Sequence, residues 1–534
     1  MTFPDTDLDI IIEAFLGADP NADPGTWPAP TDLSARLLKT PIRVTRGRRD
    51  GQKTAAAGSC SFELDNTDGA LTPQQATSQY FGAWDLGVPM RVSVDDVGLA
   101  PPYPRFCGYV AEIAPKIVPG VGATWSTVTV TLAGTLRRLT QGSVAKSPLR
   151  RAFESAANVQ TYWSLEDAGG SFRSGLPGQP ALTLAGEIDF ASASDMTGSA
   201  PLPVLTATSA ISGPLSGTFT DRWFFDWLVN FPSVPSSLVT LMEIDVVGGS
   251  AARWVLTADS STLTFTGYDA GGAVVHSSTG SSLLLVYGGG WLGLQLFVAD
   301  GILAGLTVYD LSTTSLAGVQ ISDGSLIAGT PTAFRIPASS QLDGVAIGHI
   351  GLFSNAQPDD ILIPNGPEPL NAYAGELAHV RFERLCLEQG IPYIVIGSDS
   401  RAVGPQPIAD TVEILRDLET VDHGVLYELT STWGLGYRAS SQRFNRSPAF
   451  TVDLATYRVS EGDSPSVLTP MRNDTRIRNE WTISRPGGTT VTVRDEAHIA
   501  KFGRYEDSAT VNVYDDTDAV IEASWRVREG NCGR

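Results

Sequence analysis

The side chains able to do chemistry in this chain are few, and they do not converge. Five histidines stand at His276, His349, His379, His423 and His498, and none lies in a His-Glu-x-x-His or comparable spacing that would put two imidazoles on one metal. No Gly-x-Ser-x-Gly elbow, phosphate loop or dinucleotide fingerprint accompanies them. The carboxylate pairs Glu166-Asp167 and Asp359-Asp360 are adjacent in sequence. On a strand such neighbours face apart and cannot serve as the acid and nucleophile of a glycosidase. His423, between Asp422 and Gly424, reads as a helix-terminal imidazole favoured by the helix dipole and not as a general base. Asp65, Asp68 and Gly69 imitate part of a calcium loop, but Leu64 occupies the first ligand position and Gln75 the position of the bidentate Glu. The expectation is therefore no enzyme, no catalytic or metal-binding residue and no cofactor.

What remains is recognition by aromatic rings. Trp163, Trp223, Trp227, Trp254, Tyr268, Tyr287 and Trp291 fall in the middle of the chain, mostly in apolar strands. Core packing is the default for such rings, and stacking on a sugar face is their functional use. Trp163, Trp223, Tyr268 and Trp291 are the candidate glycan-contacting residues.

The elements that must position these rings are short strands. A chain of 534 residues with 54 Gly and 34 Pro divides into several domains of turn-linked strands, so the fold class is mainly β. Thirty-seven basic against 58 acidic side chains give a net charge of −21, which argues against gripping nucleic acid by its phosphates. The same charge serves solubility, and equally suits a conduit wall along which DNA slides without sticking. Cys60, Cys107, Cys386 and Cys532 are widely separated and read as reduced thiols, not as a zinc site or disulfide framework. No stretch is apolar enough to span a bilayer, and MTFPDTDLD lacks the basic start of a signal peptide. The chain is expected to be made and kept in a cytoplasm until it is assembled.

From Gly58 to Pro73 an alternating strand, with Phe62 and Leu64 on one face, runs into the turn Asn66-Thr67-Asp68-Gly69, whose residues tolerate or favour left-handed backbone. Around it stand Val44-Thr45-Arg46-Gly47-Arg48, then Gly87-Val88-Pro89-Met90-Arg91-Val92, then Arg105-Phe106-Cys107-Gly108-Tyr109-Val110. In this order the four segments resemble the N-terminal region of minor tail proteins of long-tailed, non-contractile phages that infect actinobacteria, in particular the tail-tip hub. The resemblance marks Arg46, Gly47, Phe62, Asp65, Asn66, Asp68, Gly69, Pro73, Pro89, Arg91, Gly108 and Tyr109 as structural motif residues. Near the C-terminus Gly503 and Tyr505 match the end of tail hub proteins in the same sense. The family usually carries an Asp where Gly134 stands, so a helix-capping carboxylate is missing here.

The resemblance implies tube-like β-barrel modules at both ends of the chain. The expected domains are an N-terminal tail-hub barrel over 1–150, a jelly-roll sandwich over 155–376, a helical and hairpin α+β domain over 377–440 and a C-terminal barrel over 441–534. Short strands with turn residues between them indicate the sandwich, and their order resembles an inserted concanavalin-like or laminin-G-like domain. Apolar spacing predicts a helix over 377–389 with Leu377, Val380, Leu385 and Leu387 inward. It predicts another over 408–420 with Asp410, Glu413, Asp417 and Glu419 outward, and a last one from Thr517 with Ile521 and Trp525 inward. As the resemblance implies, the protein is a virion structural component of the tail tip or baseplate, a homo-oligomer, with a trimer matching a six-fold tube through its two barrels. The resemblance further implies that it closes the tube and helps host attachment and DNA delivery, and that its expected partners are the distal tail ring, the tape measure, fibres, a host surface glycan and passing DNA that is not specifically bound. The alternatives are a distal tail ring protein, or an adhesin that recognises host cell-wall glycan through the jelly roll.

Overall fold

The computed structural model describes residues 9–20, 22–47, 54–96, 99–119, 124–141, 144–281, 290–312, 316–355, 368–443 and 477–531. Arg48, Tyr287, Asp359, Asp360, Cys532 and the first part of the expected C-terminal module lie outside them. The chain gathers into two compact units, one of 1–145, 375–404 and 409–534, the other of 146–374 and 405–408.

The first unit opens with a seven-stranded antiparallel sheet: β1 (Asp9–Ala14), β2 (Thr31–Asp32), β3 (Arg43–Gly47), β4 (Ala56–Asp65), β5 (Pro89–Asp96), β6 (Leu99–Pro119) and β7 (Thr124–Ala133), in the order β2-β1-β5-β6-β7-β4-β3. Alternation does the positioning, since Cys60, Phe62 and Leu64 of β4 and Val128, Val130 and Leu132 of β7 share one core with Met90, Val92 and Phe106. Among the described residues this sheet is open, where the sequence resemblance led to a barrel. β2 is two residues long and pairs with just Glu13 and Ala14, and β3 is exposed throughout. The two margins, β2 and β3, do not pair with each other among the described residues. A short helix, α1 (Thr135–Leu139), follows β7 directly.

The second unit begins at α2 (Pro148–Glu154), capped by the Ser147 hydroxyl, which accepts from the Arg150 amide, with Pro148 in the first turn. Its strands are β8 (Val159–Trp163), β9 (Thr183–Ala185), β10 (Ile188–Ala193), β11 (Leu202–Leu205), β12 (Ala210–Pro214), β13 (Arg222–Asn230), β14 (Val239–Val247), β15 (Arg253–Ala258), β16 (Thr262–Tyr268), β17 (Val274–Ser281), β18 (Trp291–Ala299), β19 (Leu303–Asp310), β20 (Leu316–Ser322), β21 (Thr330–Ile336) and β22 (Ala346–Phe353). They form two sheets, β10-β11-β22-β13-β18-β19-β20 with β8 beside β22, and β17-β16-β15-β14-β21-β12-β9. A single apolar core lies between them, which makes the unit a β-sandwich. β13 is buried on both faces: Trp223, Phe225, Trp227 and Val229 enter the sandwich core, while Phe224 and Leu228 pack with Leu149, Phe153 and Tyr162 on the other side. That is why its sequence is a continuous apolar run interrupted by one acid, Asp226.

The chain then returns to the first unit through α3 (Ala378–Glu388), β23 (Tyr393–Ile396), α4 (Thr411–Asp422), β24 (Val425–Glu428), β25 (Leu435–Arg438), β26 (Glu480–Ser484), β27 (Thr490–Arg494), α5 (Glu496–Phe502), β28 (Glu506–Thr510) and α6 (Asp516–Asn531). The buried face of α3 is Ala378, Phe382, Leu385 and Cys386, whereas Val380 and Leu387 are exposed. Of the expected face Leu385 is kept, while Phe382 takes an inward position and Arg381 is drawn inside by Glu376, 2.9 Å from its Nε. In α4, Val412, Leu415 and Leu418 point inward as expected, but Glu419 is buried too, accepting from the Leu426 amide at 2.9 Å. α6 starts at Asp516, with the Asp515 carboxylate accepting from the Asp518 amide, and leaves Ile521 exposed. Among the described residues the C-terminal portion is a three-stranded sheet, β27-β26-β28, backed by α6 and not a barrel: β28 runs parallel to β26, so the chain must cross over through α5 instead of continuing as a meander.

Candidate functional site

The motif residues of the first sheet are consumed by architecture. Asp65 accepts from both the amide and the hydroxyl of Thr67, at 2.9 and 2.6 Å, which holds its carboxyl below the usual range. Asn66 is fully buried. Its Oδ1 accepts from the Leu71 amide at 2.7 Å and its Nδ2 donates to the hydroxyls of Thr72 and Ser126. Asp68 forms a two-point pair with Arg36, 2.9 and 2.6 Å, which holds its carboxyl down to about 2. Gly69 sits at φ +70°, where a side chain would be strained. Asp65 Oδ1 and both Asp68 oxygens serve protein donors that close the strand and hold the turn.

The other motif positions follow the same logic. Phe62 is core. Arg46 donates to the Arg105 carbonyl at 3.1 Å, and Gly47 adopts φ +83° at the end of β3. Pro73 lies in the turn that ends at Gln74, φ +60°. The Pro89 carbonyl accepts from the Phe15 amide, and Arg91 pairs with Glu13 at 2.7 Å. Gly108 is obligatory, because a Cβ there would stand 2.4 Å from the Ala133 carbonyl oxygen. Tyr109 meets Trp433 edge to face at 5.7 Å. Near the C-terminus Gly503 ends α5 at φ +88°, and the Asn479 side chain donates to its carbonyl while accepting from the Tyr505 amide.

One functional contact was invisible in the sequence. The capping carboxylate missing at Gly134 is supplied by Glu428 of β24, whose Oε1 accepts from the Leu136 amide and whose Oε2 accepts from the Gly58 amide, both at 2.8 Å. A Cβ at Gly134 would lie 2.2 Å from those oxygens. The glycine is there because the distant carboxylate occupies the space an Asp would take.

In the sandwich, Trp163 and Trp223 are fully buried and Trp291 is 8% exposed. The Trp163 and Trp223 indoles donate to the carbonyls of Pro180 and Ala328, so none of these three rings offers a face to a sugar. Tyr268 is half-buried at the end of β16. The outer face of the second sheet holds instead a groove of ≈ 460 Å³ over β9, β12 and β21, floored by Ala185, Ala210, Ser212 and Ala333. Along one side Arg335 is held by Glu243 at 2.7 Å and Asp245 at 2.6 Å, and Arg253 reaches Asp245 at 3.0 Å. Small outward side chains on three adjacent strands make the trough, and the ion-paired ladder fixes one wall. No pattern of aromatic residues could have located it.

Burial pushes the thiols of Cys60, Cys107 and Cys386 up to about 12, so they are inert. Among the described residues no three His, Cys, Asp or Glu gather as a metal site, and no helix is long and apolar enough to cross a membrane.

No family model matches this sequence, and no curated protein matches it. Solved structures do match at low similarity. The crystal structure of the HCR/D W1238A mutant has 9% identity and a TM-score of 0.29, covering 40% of this chain and 51% of that one. The binding domain of botulinum neurotoxin serotype D has 10% identity, a TM-score of 0.28 and coverages of 41% and 51%. The binding domain of Paraclostridial Mosquitocidal Protein 1 has 10% identity, a TM-score of 0.28 and coverages of 37% and 49%. The chain spans about half the length of these structures, and at such scores they add nothing to the sandwich read from its strand order.

Proposed function

We propose that this chain is a structural minor tail protein of a long-tailed phage, positioned at the tail tip, where its first unit serves assembly and its sandwich unit serves host attachment. The observation that carries this reading is the fate of the motif series: Asp65, Asn66, Asp68, Arg91 and Gly108 each serve a turn, an ion pair or a close strand approach within one sheet. Residues spent in this way have an architectural task. The net charge of −21 suits a wall past which DNA travels unbound. Within this reading the hub role, a homotrimer, contacts with the distal tail ring, tape measure and fibres, and assembly in the host cytoplasm follow from the sequence resemblance. Cell-wall release activity is not expected of the purified protein. Symmetry-resolved imaging of tails carrying a tagged copy tests this. Three copies at the tip support the hub, six copies in a ring support the distal ring protein, and absence from tails refutes both.

A second reading is favoured by the groove over β9, β12 and β21, which offers hydroxyl, guanidinium and carboxylate groups beside a flat floor. That chemistry suits a host surface glycan, and the reading makes the protein an adhesin. Glycan-array binding by the full protein, lost in an Arg335→Ala variant, supports it. A flat array counts against it.

A further inference from the structure

A buried polar chain crosses the root of the sandwich. His349 in β22 is fully buried and holds φ +51°, and Leu165 in the segment it pairs with holds φ +63°. Non-glycine residues in this region are strained, and two of them together mark a place that the surrounding packing enforces. The Tyr162 hydroxyl lies 2.7 Å from His349 Nδ1, and Ser199 Oγ lies 2.8 Å from Nε2. Ser199 Oγ is also 2.9 Å from Glu166 Oε1, which further accepts from the Ala200 amide at 3.0 Å and from the Ser147 hydroxyl. Phe153 of α2 stacks on both Tyr162 and His349. One chain of contacts thus ties the cap of α2, β8, the turn at 199 and β22.

Proton accounting fixes the ring. The Ser199 hydroxyl has the Glu166 carboxylate and the Ala200 carbonyl as acceptors, both at 2.9 Å; its oxygen then accepts from Nε2–H, and Nδ1 accepts from the Tyr162 hydroxyl. His349 is therefore a neutral imidazole protonated at Nε2. With the proton on Nδ1 instead, the Tyr162 oxygen would accept it and the Tyr162 O–H would be left without an acceptor among the described residues. The charged groups facing the site do not welcome a cation. Arg150 of α2 opposes it and is itself tied to Glu154, which also holds Lys146. Glu166 lies 3.8 Å from Nε2 but is spent on three donors, and on the neighbouring strand Asp226 stands opposite Gly351.

We propose that His349 is an acid-release device: its ring is held neutral between Tyr162 and Ser199 while α2 and the 199 turn are docked on the sandwich, so acid favours the released state, in which the ring is free to take a proton. Burial, and then Arg150, hold its ionisation down to about 3, against about 6.5 in an unfolded chain. A depressed histidine contributes stability that is present above the unfolded value and is lost as pH falls through 6.5 toward 3. Glu166 and Asp226 are raised by burial. Their contribution runs the other way, growing as pH falls toward the ordinary carboxylate range, so a variant must isolate the histidine.

The experiment is denaturant unfolding of the full chain at pH 7.5 and pH 5, wild type against His349→Gln, whose amide stays neutral. The expected result is that the ratio of wild-type to variant folding constants for the sandwich falls about 30-fold between the two pH values, the factor set by 1.5 pH units below the unfolded histidine value. Parallel pH dependence of the two proteins overturns the proposal. If the variant does not fold, the imidazole resonances of the wild type decide: His349 remaining neutral to below pH 4 supports the device, and titration near pH 6.5 in the folded protein refutes it.

Discussion

The exchange of capping carboxylates between positions 134 and 428 makes a quantitative prediction. Glu428→Ala strips the acceptor from the amides of Gly58 and Leu136, each now bonded at 2.8 Å. Orphaned buried donors cost about 1–3 kcal/mol each, and burial raises the Glu428 carboxyl, so part of that cost returns as relieved desolvation; the net loss should be about 2–4 kcal/mol. Gly134→Asp alone should also destabilise, because its Cβ would stand 2.2 Å from the Glu428 oxygens and would bring a second charge beside them. Combined, the two changes should be better than their sum. With Glu428 gone, the aspartate introduced by Gly134→Asp has room to cap α1 from the helix's own N-terminus, recovering about 1 kcal/mol. Urea unfolding of the four proteins of this cycle, followed by fluorescence, should give a favourable coupling above about 2 kcal/mol. Strict additivity would refute the idea that the glycine and the distant glutamate are two halves of one cap.

Four other outcomes follow from single sites. Asp226, buried beside Gln295 and raised by that burial, contributes stability that is full below the ordinary carboxylate range and falls as pH rises; Asp226→Asn should therefore raise the sandwich melting temperature at pH 8 and change it little at pH 4. Asn66→Ala removes three hydrogen bonds from a fully buried amide and should cost about 2–4 kcal/mol, whereas Asp68→Ala, half-exposed at 53%, should cost about 1 kcal/mol or less and lose that effect in high salt. Gly108→Ala forces a Cβ to 2.4 Å from the Ala133 carbonyl and should cost about 1–3 kcal/mol, read as a lowered urea midpoint; no change in midpoint would mean that β6 and β7 separate freely.

How much was legible depended on the range of the interaction. The alternation of Cys60, Phe62 and Leu64, the Asn66 to Gly69 turn and the hairpin returning through Leu435–Arg438 were readable because strand period and turn chemistry are local properties. The glycan-contacting set was not, since Trp163 and Trp223 are buried in the core between the two sheets and Trp291 in the second layer of packing that includes α2. The inward face of α3 was misassigned because the decisive partner of Arg381 is Glu376, outside the helix period.

The sequence by itself determined a mainly β, multidomain chain with a strand-and-turn motif series, because each of those features is written in neighbouring residues. Tertiary structure alone decided that the first sheet is open among the described residues, that Glu428 caps a helix 292 positions away and that His349 stands between Tyr162 and Ser199 at separations of 187 and 150 residues. Contacts at that range leave no periodicity to read, because what selects the residues is the space and the proton each must share with a partner brought near by folding.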